Sequence, residues 1–129
     1  MSDLRPRGIP VVLDGVEHRF LFTLNTIDSI QEDTGKNMKD IMMELTDENL
    51  SNKALIYLVK TLINHEAERE KRKNPECTLA EVTDRDVGDL IGMDNIIEVT
   101  SAVLSAYGYS LPKVEDDDNP NQESGQQSN

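Results

Sequence analysis

Gly8-Ile9-Pro10-Val11-Val12-Leu13-Asp14-Gly15-Val16-Glu17-His18-Arg19-Phe20-Leu21-Phe22-Thr23-Leu24-Asn25 is the stretch that decides the fold. Ile9, Val11 and Leu13 alternate up to Asp14-Gly15, the dipeptide that supplies the positive φ angles of a tight hairpin turn. Beyond it, Val16, His18, Phe20, Phe22 and Leu24 share one face while Glu17, Arg19 and Thr23 share the other. That period of two predicts a second strand over Val16 to Leu24 with one buried side. Both phenylalanines lie on the buried side, and His18 is expected there as a partly buried residue with a hydrogen-bonding partner. From Asn25 the period becomes helical: Leu24, Ile27 and Ile30 line up, Asn25 is the expected cap and Gly35 the expected stop. An isolated ribbon of this size is marginal in water, so later helices must cover it.

Working outward, Asn37 can cap a second helix whose Met38, Ile41, Met42 and Leu45 form an amphipathic stripe. Thr46-Asp47-Glu48-Asn49 interrupts it, and Ser51 is the expected cap of the longest helix, from about Asn52 to Lys73. The first half of that helix is apolar nearly all round, at Ala54, Leu55, Ile56, Leu58, Val59, Leu62 and Ile63, which predicts a central position. Its second half, His65 to Lys73, is almost wholly charged and reads as a helix end in solvent, or as a projecting handle. Asn74-Pro75 ends it. Thr78-Leu79-Ala80-Glu81 and Thr83-Asp84-Arg85-Asp86 each predict a short helical turn, the latter leading to Val87, Leu90 and Ile91. Asp94 is the expected cap of a final helix with Ile96, Val99, Thr100, Val103, Leu104 and Tyr107 on its inner face, ending at Gly108 and Pro112.

The expected architecture is therefore α+β: an N-terminal two-stranded β-hairpin packed on a small, mostly helical bundle. One domain spans residues 1–112. The tail, 113–129, has a single aliphatic residue, Val114, and is expected to be a disordered acidic segment. The 129-residue chain carries a formal charge of -12, and the tail, with five acids and one lysine, accounts for only -4 of it. Acidity of this size argues against phosphate-gripping nucleic-acid binding and against an anionic membrane surface. No apolar run approaches a membrane span, the start has no signal-like segment, and a lone Cys77 fits a reducing compartment.

Chemistry-bearing motifs are missing from the sequence. His18, His65 and Cys77 are far apart, so no metal-ligand spacing exists. Asp116-Asp117-Asp118-Asn119 fails as a calcium loop, having Asn121 where glycine is required and Gln127 where glutamate is required. There is no phosphate-cradling glycine loop and no nucleophile elbow. The helix pair around Thr78 to Tyr107 could be mistaken for a DNA-reading helix-turn-helix, but its would-be recognition helix, Asn95 to Tyr107, has neither Lys nor Arg to hold a phosphate. No cofactor and no enzymatic role are expected. What remains is binding through apolar surface: Met43 lies about 100° around the helix from Met42, off the core stripe. Adaptable methionines at Met38, Met42 and Met43, and the final helix around Ile97, Leu104 and Tyr107, are the candidate partner-binding residues. Ordinary core packing is the competing account of the methionines.

The run Arg7 to Asn25, the acidic helix closed by Thr34-Gly35-Lys36, the Asp89-Leu90-Ile91-Gly92 and Asn95-Ile96-Ile97-Glu98 segments, and the close at Ser110-Leu111-Pro112 together resemble the tail assembly chaperones of long-tailed bacteriophages. That resemblance covers most of residues 8–112 and rests on hydrophobic pattern and turn chemistry. It implies a non-enzymatic helper that binds the tape measure protein and recruits tail tube protein. It also implies a place in the cytoplasm of the infected bacterium and absence from the mature virion. Members are often made in two lengths by frameshifting, and this chain looks like the shorter; self-association is left open. Two other classes fit the residues: a small structural tail or head completion protein, and an acidic inhibitor that mimics DNA.

Overall fold

The computed structural model describes residues 8–110. Pro112 and the acidic tail expected from Lys113 lie outside the described residues. The fold is α+β: an antiparallel hairpin, β1 (Ile9–Leu13) and β2 (Val16–Phe20), followed by five helices. The register sets Ile9 opposite Phe20, Val11 opposite His18 and Leu13 opposite Val16. Asp14 and Gly15 sit at φ 50° and 77°, the pair of left-handed residues that lets a two-residue turn follow the ribbon's own twist. Val11, Leu13, His18 and Phe20 are buried on the inner face, as the period of two requires, but Val16, expected on that face, is exposed because it follows the turn at the open end of the ribbon.

The second strand is shorter than the alternation predicts. Pairing stops at Phe20, opposite Ile9; Gly8, at φ 95°, lies so close to the Phe20 carbonyl that a Cβ there would meet its oxygen at 2.7 Å. Phe22 remains buried, edge-on to Tyr107 with ring centroids 5.8 Å apart, but Leu24 is exposed as the first residue of α1 (Leu24–Thr34). The cap of α1 is Thr23, not Asn25: its hydroxyl accepts from the Thr26 amide at 3.1 Å. Gly35 closes the helix in the left-handed conformation, as expected.

Helix α2 (Met38–Glu44) is capped by Asn37, whose Oδ1 accepts from Asp40 N at 2.9 Å, and it buries Met38, Ile41 and Met42. Helix α3 (Ser51–Lys73) is the central element, packed against β2, α1, α2, α4 and α5. Ser51 is inside it instead of capping it; Leu50 holds the cap position with no side-chain bond. Its apolar half is buried as expected, with Ile56 only partly so. The charged half departs from expectation, because Glu66 and Ala67 are buried beneath the hairpin.

No helix forms at Thr78 to Glu81. One apolar turn there cannot bury enough surface to fix itself. The link is instead held by Asn64 of α3, whose Oδ1 accepts from Val82 N at 2.7 Å while its Nδ2 donates to Val82 O at 2.9 Å. Helix α4 (Asp84–Leu90) starts on a complete capping box between Thr83 and Asp86 and sinks Val87 fully into the core. Helix α5 (Ile96–Ser110) starts later than an Asp94 cap would place it and runs through Gly108. Asn95 precedes it and ties the turn, accepting from Gly92 N at 2.8 Å and donating to Leu90 O at 3.0 Å. Its inner face is Val99, Ala102, Val103 and Ala106, while Leu104 is exposed rather than inward. Small residues at 102 and 106 let α5 lie close on β1, its main neighbour. Among the described residues, no helix is long and apolar enough to cross a membrane.

Candidate functional site

Two places bring together residues that a simple core does not need. The first is a buried polar seam between β2 and α3. Arg19 pairs with Pro10, so its amide points to the outer edge of the ribbon, where Glu66 Oε2 accepts it at 3.0 Å. The other oxygen, Oε1, lies 3.2 Å from His18 Nδ1; a carboxylate only accepts, so the ring nitrogen carries the proton. Beside this, Thr26 Oγ1 meets His65 Nδ1 at 3.0 Å and Thr23 Oγ1 at 2.9 Å. Burial holds the Arg69 guanidinium below its ordinary pKa, against the opposing pull of Glu66 and Glu70, and its Nη1 is buried with no hydrogen-bond partner among the described residues. Apart from that Arg69 nitrogen, the seam's groups bond to one another. A carboxylate on the edge amide also stops another strand from adding to β2, so the arrangement is structural.

The second is a groove of about 310 Å³ between the start of α3, α4 and the turn into α5. Its lining is mostly aliphatic: Leu55 and Ile56 from α3, Ile91 and Met93 from the turn, Ile96 from α5. Asn52, Gly88 and Gly92 complete it. Helices α3 and α4 are tied by the ion pair of Lys60 on α3 with Asp84 on α4 at 3.0 Å, and Lys60 Nζ also sits 5.3 Å from the centre of the Tyr57 ring. Burial, then a bond in which the hydroxyl donates to Asp33, pushes the Tyr57 pKa up to about 12. The two asparagine clamps, Asn64 on Val82 and Asn95 across Leu90 and Gly92, hold both ends of α4 and so fix the groove's outer wall.

Gly88 is the most telling residue here. It sits inside a seven-residue helix, and its φ is not in the left-handed region, so no backbone need explains it. Glycine there costs about 1 kcal/mol relative to alanine. A Cβ would meet Ile56 Cδ1 at 3.7 Å, an ordinary contact, so crowding does not explain it either. What the missing side chain leaves is open groove. Met93, at the rim, is 90% exposed, and Ile97, the residue after Ile96, is 81% exposed.

The sequence candidates divide. Met38 and Met42 are corrected to core residues, since their stripe is the face that α2 buries. Met43 is exposed on α2, away from the groove lining. Ile97 and Leu104 are exposed on α5, and Tyr107 is half-buried against Phe22. Only Ile97 adjoins the groove. Sequence reading missed Ile56, Gly88, Ile91 and Met93, although Gly88 and Gly92 one turn apart, and a methionine in a turn that no apolar stripe claims, were visible signals. Among the described residues no cluster of three or more His, Cys, Asp or Glu could hold a metal ion. Comparison with protein-family models, with curated proteins and with solved structures finds no match.

Proposed function

We propose that this chain is a non-enzymatic binding protein that acts as a phage tail assembly chaperone, holding apolar helical segments of the tape measure protein in the groove between α3, α4 and α5. The observation that carries the binding role is Gly88: a helix gives up stability at the one position where a side chain would fill an aliphatic groove. Laying an amphipathic helix into such a groove is a general mode of recognition. The phage assignment is supported by the resemblance of Arg7 to Asn25 and of the Asp89 to Glu98 region. A net charge of -12 suits a helper that must keep an aggregation-prone client dispersed. Work in the host cytoplasm, recruitment of tail tube protein and absence from the virion belong to the same proposal.

Coexpression with the tape measure protein of the same phage tests it. The soluble yield of that partner should rise with the wild type and fall back with Gly88→Leu, which fills the groove from an exposed helix position. Circular dichroism on the variant checks that the fold persists. A wild type that binds neither tape measure nor tail tube protein, at low and at physiological salt, overturns the assignment.

A further inference from the structure

The binding surface does not stop at the groove. From Ile96 to Tyr107, α5 carries one charged residue, Glu98, in a chain that is 29% charged. Ile97 and Leu104, seven residues and two turns apart, share one exposed stripe, with Thr100 and Ser101 between them. Depletion of charge around exposed aliphatic side chains marks the centre of a protein interface more than general apolarity does. Met93 and Ile96 line the groove, and the exposed Ile97 is the next residue of α5, so the stripe starts beside the groove's α5 wall. Along one margin stand Asp94 and Glu98, both exposed and in no ion pair among the described residues. The bases of the groove walls lie elsewhere: Lys60 is taken by Asp84, and Lys53 and Arg85 belong to α3 and α4.

We infer that the segment recognised here is an amphipathic helix of at least three turns. Its contact face is aliphatic and uncharged, and Lys or Arg run along the one flank that meets α5. The inference rests on the groove reading above and adds the chemistry of the client. An uncharged face on α5 rejects a partner that would bury a charge there, because nothing on that face could pair it. The carboxylates of Asp94 and Glu98 then set which way round the helix lies.

Three synthetic helical peptides read this out by fluorescence titration against the full chain: an aliphatic face with Lys on one flank, the same face with Glu on that flank, and a Lys-flanked peptide with a Glu placed in the aliphatic face. The Lys-flanked peptide should bind about 3- to 10-fold tighter than the Glu-flanked one at low salt, as two exposed ion pairs allow. That preference should shrink in 0.5 M salt and vanish in Asp94→Asn/Glu98→Gln. Asp28→Asn/Glu32→Gln on α1 removes the same two negative charges and should keep the preference, separating a local effect from the charge of the whole molecule. The face-charged peptide should not bind, and Ile97→Glu/Leu104→Glu should weaken the best peptide at least about tenfold. Equal binding of both flanked peptides overturns the inference and leaves the groove reading standing; binding of no peptide overturns both. Sedimentation showing a dimer that Ile97→Glu/Leu104→Glu dissolves would make a second copy the occupant and overturn it as well.

Discussion

Each half of α3 departs at one place from what its composition leads one to expect. The apolar N-terminal half, the obvious core, borders the open groove through Leu55 and Ile56. The charged C-terminal half, the obvious solvent helix, buries Glu66 under β2 and spends its carboxylate on His18 and the Arg19 amide. The difference lies in what each kind of group demands. A buried carboxylate is tolerable only with its partners in place, so it fixes the ribbon's position on the helix. Aliphatic contacts are non-directional and can be left partly unmade, so the other half can hold a surface in reserve for a partner.

Substitutions in the two regions should separate them by size of effect. Phe22→Ala, at the hairpin end where the ring lies edge-on to Tyr107, should cost about 3 to 5 kcal/mol in urea unfolding, and a loss under about 1 would show the ribbon is not anchored there. Glu66→Gln keeps the shape but weakens two charge-assisted bonds, and should cost about 1.5 to 3 kcal/mol. A neutral result would mean the seam contributes no more than the groove and would break the comparison. Gly88→Ala should raise stability by about 0.5 to 1 kcal/mol, since its methyl group meets only an ordinary contact with Ile56. Destabilisation by that change would show that α4 needs the glycine for itself. Smallest of all, Met93→Gln and Ile97→Gln should leave the melting midpoint within the range of about 0.5 kcal/mol expected of exposed positions, while weakening capture of a helical peptide. A large loss from either would place that side chain in the core.

Much of the local structure was legible because its causes are local. Asp14-Gly15, the Asn37 cap, the Gly35 stop and the Thr83 capping box each depend on a few neighbouring atoms. Where short-range signals competed, the sequence misled: Thr23 took the cap from Asn25, Ser51 went uncapping into α3, and Asn95 displaced Asp94. In each case the choice was set by where the preceding element delivered the chain. Of the candidate surface only the α5 stripe beside the groove, Ile97 and Leu104, was legible, and none of the groove lining.

By itself, then, the sequence determined the hairpin turn and the buried alternation from His18 to Phe22. It also determined the helical stripes of α2 and α3 and the acidity of the chain, because periodicity and turn chemistry act over a few residues. Tertiary structure alone decided that Glu66 is a buried anchor and that Met38 and Met42 are core. It alone decided that Asn52, Ile56, Gly88 and Met93 face one space. Those facts depend on which elements lie side by side, and residues from 52 to 96 meet there only because α3 is packed on nearly every side and α4 is clamped across one end of it.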